Sequence, residues 1–174
     1  MCRSAAQLVL LAAAGALLAG ATGATSAAAP ERSGPRVLRV DWSGEHRLQS
    51  GSVRYRVTRI EVSGRAWAVT ARLTNGTSRP LRVSRSEPPS FRECRTGLIG
   101  FYRTSAGYGN TKLTAASFQP RLPASLAPGQ VWQGVFRGRG PLPPRTLLYV
   151  CFGYFLEPRQ SDGFSIVTDQ GFRT

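Results

Sequence analysis

The chain has 174 residues, 41% of them hydrophobic and 18% charged, and its 23 basic residues outnumber 9 acids to give a formal charge of +14. This balance indicates an anionic partner such as nucleic acid, acidic lipid head groups or an anionic cell-envelope polymer, unless the scattered arginines form only a solvated face. A single histidine, together with two cysteines of the mature chain that we expect to form a disulfide, leaves no set of nitrogen and sulfur ligands for a metal centre.

The N-terminal residues have the three parts of a secretory signal peptide, namely Arg3, the apolar run Ala5–Leu18 and the small residues of Ala24–Ala29. Cleavage after Ala28 satisfies the preference for small residues at the two key positions. We therefore predict a signal peptide over residues 1–28 and a secreted, extracellular protein without a stable membrane span after cleavage.

An uncleaved membrane anchor is the alternative, although Gly15 and Gly20 interrupt an apolar run that is short for a span of about 20 residues. Residues 29–36 contain proline, glycine, serine and charge, and we expect a flexible leader there. The mature chain of about 145 residues has the size of one domain with one core.

Two predicted strands follow the leader. Val37–Trp42 alternates apolar and charged residues, as a half-buried strand does, and a turn is expected at Ser43-Gly44. Val53–Val62 is longer, but its apolar residues change parity along the strand. Because one regular strand cannot bury both sets, we expect either a β-bulge near Thr58-Arg59 or a bend from one sheet into the other.

Residues 65–83 have the clearest strand pattern of the chain. Four apolar side chains recur with period two on one face, Trp67, Val69, Ala71 and Leu73. The large Trp67 is the predicted core anchor. Residues 75–78 interrupt the pattern before it resumes at Leu81, which predicts a hairpin with its tip at Asn75. The glycosylation sequon that begins at Asn75 is more simply a turn.

The next segments alternate between connections and strands. Residues 84–93 contain paired prolines, which remove ladder donors, so we expect a connection between sheets. Leu98–Arg103 is a predicted strand. Thr104–Thr111 is polar and contains glycine, which favours a loop that exposes Tyr108. Residues 115–128 have three prolines and no period, which predicts an extended surface crossing.

A tight turn at residues 127–130 leads into a predicted strand at Val131–Arg137. The basic stretch 137–145, which includes the segment Gly138–Arg145, contains three arginines and three prolines and is expected to form a stiff, basic projection. Thr146–Phe155 is almost entirely apolar, and its aromatic and β-branched content favours a strand that is buried on both faces.

Two cysteines remain after removal of the signal peptide, Cys94 and Cys151, and in an exported protein we expect them to form a disulfide. The bond would either join two sheets or tie the segment at Cys94 onto the buried strand, and two free buried thiols are the alternative. Phe164–Thr168 is predicted to be a last edge strand, and residues 169–174 a loose tail.

Seven or eight short strands without a helical period predict an all-β antiparallel sandwich over residues 37–168 with one disulfide. The segments ARLTNGTSRPLRV and LAPGQVWQGVF resemble immunoglobulin-like domains of unknown function on bacterial secreted proteins and lipoproteins. The matching positions are Asn75, Pro80, Leu126, Pro128, Gly129 and Phe136. Gly134–Phe136 is one residue shorter than the family pattern, and Trp67 precedes Cys94 instead of lying between the cysteines as in antibodies. The resemblance implies an immunoglobulin-like fold and an extracellular setting, and it supplies no catalytic residues.

No catalytic motif is visible in the sequence. A Ser-His-Asp triad would have to use the single histidine, His46, with Asp41 or a distant acid, and no G-x-S-x-G elbow occurs. We expect His46 to be a solvated turn residue. The prediction is therefore a protein that is not an enzyme and has no cofactor.

Two groups of side chains are candidate binding residues. The first is Tyr102, Tyr108 and Lys112, and the second is Arg137, Arg139 and Arg145. Arginine can bind phosphate or carboxylate through two hydrogen bonds, and tyrosine can stack on a sugar or a base. We predict an exported binding or envelope-associated module whose partner is an anionic cell-envelope polymer or another exported protein. The alternative is a secreted hydrolase or a protease inhibitor that presents the segment 138–144.

Overall fold

The computed structural model describes residues 34–84, 94–158 and 163–174. The predicted signal peptide, most of the leader and most of the proline-containing connection lie outside these residues. Twelve strands are described: β1 (Arg36–Leu48), β2 (Gly51–Ser63), β3 (Ala66–Thr77), β4 (Leu81–Val83), β5 (Gly97–Thr104), β6 (Gly107–Thr114), β7 (Ser117–Gln119), β8 (Ser125–Leu126), β9 (Val131–Arg139), β10 (Leu147–Leu156), β11 (Phe164–Val167) and β12 (Phe172–Arg173).

The strands form two antiparallel sheets, which confirms the all-β prediction, although the twelve described strands exceed the seven or eight expected because several are only two to four residues long. Sheet 1 has five strands in the order β1-β2-β3-β9-β7, and sheet 2 has seven, in the order β6-β5-β10-β4-β8 with β11 and β12 also paired to β10. One apolar core contains inward side chains of both sheets, including Tyr55, Val69 and Phe136 from sheet 1 and Leu148 and Phe155 from sheet 2. The predicted anchor Trp67 is 3% exposed and packs edge-on to Phe136.

A β-bulge in β2 accommodates the apolar residues that change from odd to even positions, which confirms the first of the two alternatives. The pairing of β2 with β3 shifts register between Val57 and Arg59. Val57 and Ile60 are both fully buried, whereas Thr58 and Arg59 both point to solvent. The extra residue therefore returns the apolar side chains to the core while the strand stays in sheet 1.

The turn predicted at Ser43-Gly44 is wrong, because β1 continues through it to Leu48. Both residues pair with β2, Ser43 opposite Arg56 and Gly44 opposite Tyr55. The glycine is needed for a different reason: a Cβ at this position would lie 2.6 Å from the indole of Trp42. A glycine that signals a turn in the sequence here makes room for a neighbouring aromatic ring.

The hairpin predicted at Asn75 is also wrong, since β3 belongs to sheet 1 and β4 to sheet 2. The chain crosses between the sheets at residues 78–80, directly after β3, and Asn75 near the end of β3 is fully buried. Its side-chain amide donates to the carbonyl oxygens of Arg79 at 2.8 Å and Leu126 at 2.9 Å, and its oxygen accepts from the hydroxyl of Thr77 at 2.7 Å. The side-chain amide nitrogen of Asn75, which would carry a glycan, is therefore hydrogen-bonded and buried in the folded protein.

The buried strand predicted at Thr146–Phe155 is confirmed as β10, which lies inside sheet 2 and pairs with four other strands. The disulfide between Cys94 and Cys151 is confirmed as well. It ties the residues that precede β5 onto β10 within one sheet, with the two Cα atoms 6.2 Å apart. On the chain-entropy model, closing a loop of this length stabilises the fold by about 4 kcal/mol.

Three further segments differ from the sequence expectation. Thr104–Thr111 is a tight hairpin, not a loop, because β6 pairs with β5 from Gly107 onward. The last residues are held in place, since β12 pairs with β10 and the indole of Trp42 donates to Asp169 at 2.7 Å. The paired prolines lie between β4 and β5, which are strands of the same sheet, so that connection does not join two sheets.

Candidate anion-binding face

The outer side of sheet 1 is covered by arginine. Strand alternation turns eight arginines to solvent on this side, and we name them the arginine face: Arg39, Arg47, Arg54, Arg56, Arg59, Arg72, Arg137 and Arg139. Three acids share the same side, Asp41, Glu45 and Glu61. Eight positive charges against three negative ones leave an excess of five on one surface.

Two pairs of arginines lie directly opposite each other on neighbouring strands of this face. Arg56 of β2 faces Arg72 of β3, and Arg39 of β1 faces Arg59 of β2. Side chains in such positions have Cβ atoms about 5 Å apart, and like charges there destabilise the sheet. The fold thus places two positively charged side chains side by side at each of these positions, at some cost in stability.

Carboxylates offset only part of this charge. Arg56 donates to Asp41 at 2.9 Å, and Arg59 pairs with Glu61 at 2.8 Å. The pKa of Glu45 is lowered by a hydrogen bond from Ser52 and by the nearby positive charges of Arg47 and Arg54. All of these groups are substantially solvent-exposed, so each contact contributes little to stability.

Four members of the arginine face have no carboxylate partner among the described residues: Arg39, Arg72, Arg137 and Arg139. Arg137 reaches the side-chain oxygen of Gln119 at 3.4 Å, which leaves its charge uncompensated. Guanidinium groups spaced along a flat sheet can bind the phosphates or carboxylates of an extended polymer through paired hydrogen bonds.

The candidate residues from the basic stretch 137–145 do not form a projection. Arg137 and Arg139 belong to β9 and are part of the arginine face, whereas Arg145 lies outside it, before β10. Leu142 packs against the core, and the amide of Gly140 donates to the carbonyl of Arg65 at 2.8 Å. The segment therefore lies against the domain, because its proline-flanked leucine has an apolar surface to cover.

The tyrosine and lysine candidates belong to the other sheet. Tyr108 is 78% exposed on the outer side of the β5–β6 hairpin, with the guanidinium of Arg103 5.6 Å from its ring centre. Lys112 shares this side, since it lies four residues along the same strand. Tyr102 faces the opposite side, where its ring lies over Gly109. The structure thus separates the six candidate binding residues into different surfaces.

His46 has no catalytic partner of the kind considered from the sequence. Its ring stacks on Phe164, with centroids 4.3 Å apart and planes 10° apart, and burial lowers its pKa. Asp41 lies on the outer side of β1, opposite to the core side that His46 faces, and accepts a hydrogen bond from Arg56. The prediction of a turn histidine is wrong because β1 extends past this residue. Among the described residues no group of three or more His, Cys, Asp or Glu side chains could hold a metal ion.

Strand alternation in the sequence is enough to turn Arg54, Arg56 and Arg72 outward, but it does not show that they share one surface with Arg39 and Arg59. The alternation within each strand predicts which side its arginines face. It does not predict the register between strands, which places these arginines next to one another.

Comparison with protein-family models, curated proteins and solved structures finds no match to this chain. Within residues 34–84, 94–158 and 163–174, no helix is long and apolar enough to cross a membrane.

Proposed function

We propose that this chain is an exported, non-enzymatic binding module with an immunoglobulin-like sandwich, and that its arginine face binds an anionic cell-envelope polymer. The resemblance to immunoglobulin-like domains rests on two segments, ARLTNGTSRPLRV and LAPGQVWQGVF. The buried Asn75 of the first segment supports it, because this residue is hydrogen-bonded to the second segment. Its amide reaches the carbonyls of Leu126 and Ala127, and the amide of Gly129 donates to its backbone oxygen at 2.7 Å. The disulfide supports export, since such bonds persist in oxidising compartments.

The observation that carries the binding proposal is the two pairs of directly opposed arginines, Arg56 with Arg72 and Arg39 with Arg59. In each pair one arginine binds a carboxylate of the protein, whereas the other, Arg72 or Arg39, has no carboxylate partner among the described residues and can donate its hydrogen bonds to a ligand anion. Repetition of such sites across one sheet suits a polymer with regularly spaced charges better than a single small anion.

Two triple variants test the proposal. The face variant replaces Arg72, Arg137 and Arg139 with glutamine, and these residues have no carboxylate partner to lose. The control variant replaces three exposed arginines of sheet 2 with glutamine, Arg82, Arg103 and Arg173. Both variants remove three charges, so a difference between them reports location and not net charge.

Duplex DNA serves as the calibrated polyanion, with Kd measured between about 50 and 200 mM salt. Each lost phosphate contact lowers the salt slope by about 0.9, so the face variant should lose close to three units of slope and bind at least ten-fold more weakly. The control variant should change both quantities much less. Equal losses in the two variants would mean a diffuse field, and the proposed face would be wrong.

A further inference from the structure

A cleft of about 1000 Å³ opens at the side of the sandwich, where the chain passes from β6 through β7 to β8. This volume is at the upper end of the range for small-molecule sites in proteins. None of the eight arginines of the arginine face lines this cleft.

The walls of the cleft are fixed by backbone hydrogen bonds. The amide of Ala115 donates to the carbonyl of Thr96 at 2.8 Å, which joins one wall to the residues before β5. The amide of Val83 donates to the carbonyl of Ala124 at 3.0 Å, which joins the other wall to β4. A ligand would therefore enter a preformed site and lose little free energy in ordering it.

The lining combines apolar surface with positive charge. Val83, Phe118 and Leu122 pack against the core and also line the cleft, so each keeps part of its apolar surface toward it. Arg95 and Arg121 are the charged residues of the lining, and no carboxylate lines it among the described residues. Apolar walls next to the exposed guanidinium of Arg121 suit a molecule with an apolar body and one anionic end.

We propose that this cleft binds an amphipathic carboxylate, with the hydrocarbon chain against Phe118 and Leu122 and the carboxylate at Arg121. A guanidinium binds a carboxylate through charge-assisted hydrogen bonds, which fixes the orientation of the ligand. The apolar chain supplies affinity in proportion to the surface that it removes from water.

Decanoate is the probe, titrated calorimetrically into the full mature protein below its micelle concentration. We expect saturable binding with a stoichiometry of one. Decyltrimethylammonium, which has the same chain and the opposite charge, should bind at least ten-fold more weakly. Absence of saturable decanoate binding, or equal binding of the two amphiphiles, would overturn the proposal.

Three variants locate the site. Arg121→Gln should weaken decanoate about five- to ten-fold, and Ala124→Phe should weaken it further by filling the cleft. Arg173→Gln, which changes another exposed arginine outside the cleft, should leave the Kd unchanged within two-fold. The triple variant of the arginine face should also retain decanoate binding. If Arg121→Gln and Arg173→Gln have the same effect, the cleft does not hold the carboxylate and the assignment is wrong.

Discussion

Replacing Tyr55 with phenylalanine should stabilise this protein. Tyr55 is 2% exposed, and its ring lies 4.8 Å from that of Phe152 and 6.4 Å from that of Phe155. Its hydroxyl is buried and has no hydrogen-bond partner among the described residues. Water binds this hydroxyl in the unfolded chain, and folding removes that interaction without replacing it.

The magnitude depends on two opposing effects. Burial of an unsatisfied hydroxyl costs about 1–3 kcal/mol, which the phenylalanine variant avoids. Loss of an oxygen of order 10 Å³ leaves a small void, which at about 24 cal/mol per Å³ costs roughly 0.2 kcal/mol. The free energy of unfolding should therefore rise by about 1–3 kcal/mol, which raises Tm by roughly 3–10 °C for a domain of this size.

Urea unfolding followed by tryptophan fluorescence measures this change, with Tyr154→Phe as the matched control. The Tyr154 hydroxyl accepts a hydrogen bond from the amide of Gly163 at 3.3 Å, so the same chemical change should destabilise the protein there by about 0.5–1.5 kcal/mol. Opposite signs are expected for the two variants. An unchanged or lowered stability of Tyr55→Phe would refute the reasoning, because it would mean that the buried hydroxyl carries no net cost in the folded protein.

Alkaline pH provides a second measurement of the same residue. Burial raises the pKa of Tyr55 well above its ordinary value of 10.0. The folded state then keeps a proton that the unfolded chain releases, so stability falls as pH rises above the unfolded pKa and toward the folded one. Tyr55→Phe should remove this contribution and flatten the alkaline side of the stability curve.

Buried Asn75 and partly buried His46 provide the remaining predictions. Asn75→Ala should destabilise the protein by about 2–4 kcal/mol in urea unfolding, because it leaves backbone carbonyls without their donor and the Thr77 hydroxyl without its acceptor. The control Asn110→Ala, on the exposed side of β6, should change stability by less than about 0.5 kcal/mol. Similar effects of the two variants would contradict the role of Asn75. Burial lowers the pKa of His46, so the unfolded chain binds a proton that the folded chain does not, and stability should fall as pH drops below about 6.5 until the lower folded pKa is passed. A folded-state pKa at or above the ordinary histidine value, measured by NMR on this single histidine, would contradict that expectation.

The sequence alone determined the features that depend on local pattern. Strand positions follow from the two-residue period, and the apolar content of β10 identified it as an interior strand. The bulge in β2 was predictable as one of two alternatives, because two apolar sets of opposite parity, represented by Val57 and Ile60, cannot both be buried by a regular strand. The pairing of Cys94 with Cys151 followed from their number.

The tertiary structure decided the features that depend on which strands become neighbours. Ser43-Gly44 and Asn75-Gly76 have the composition of turns, yet both lie within paired strands, the first in β1 and the second near the end of β3, just before the chain crosses to sheet 2. Available pairing partners override turn preference, because a backbone that is hydrogen-bonded along its length needs no local turn to satisfy its polar groups. The arginine face and the side cleft arise in the same way, since register and sheet order bring together residues that are distant in the chain, and neither can be read from the alternation within one strand.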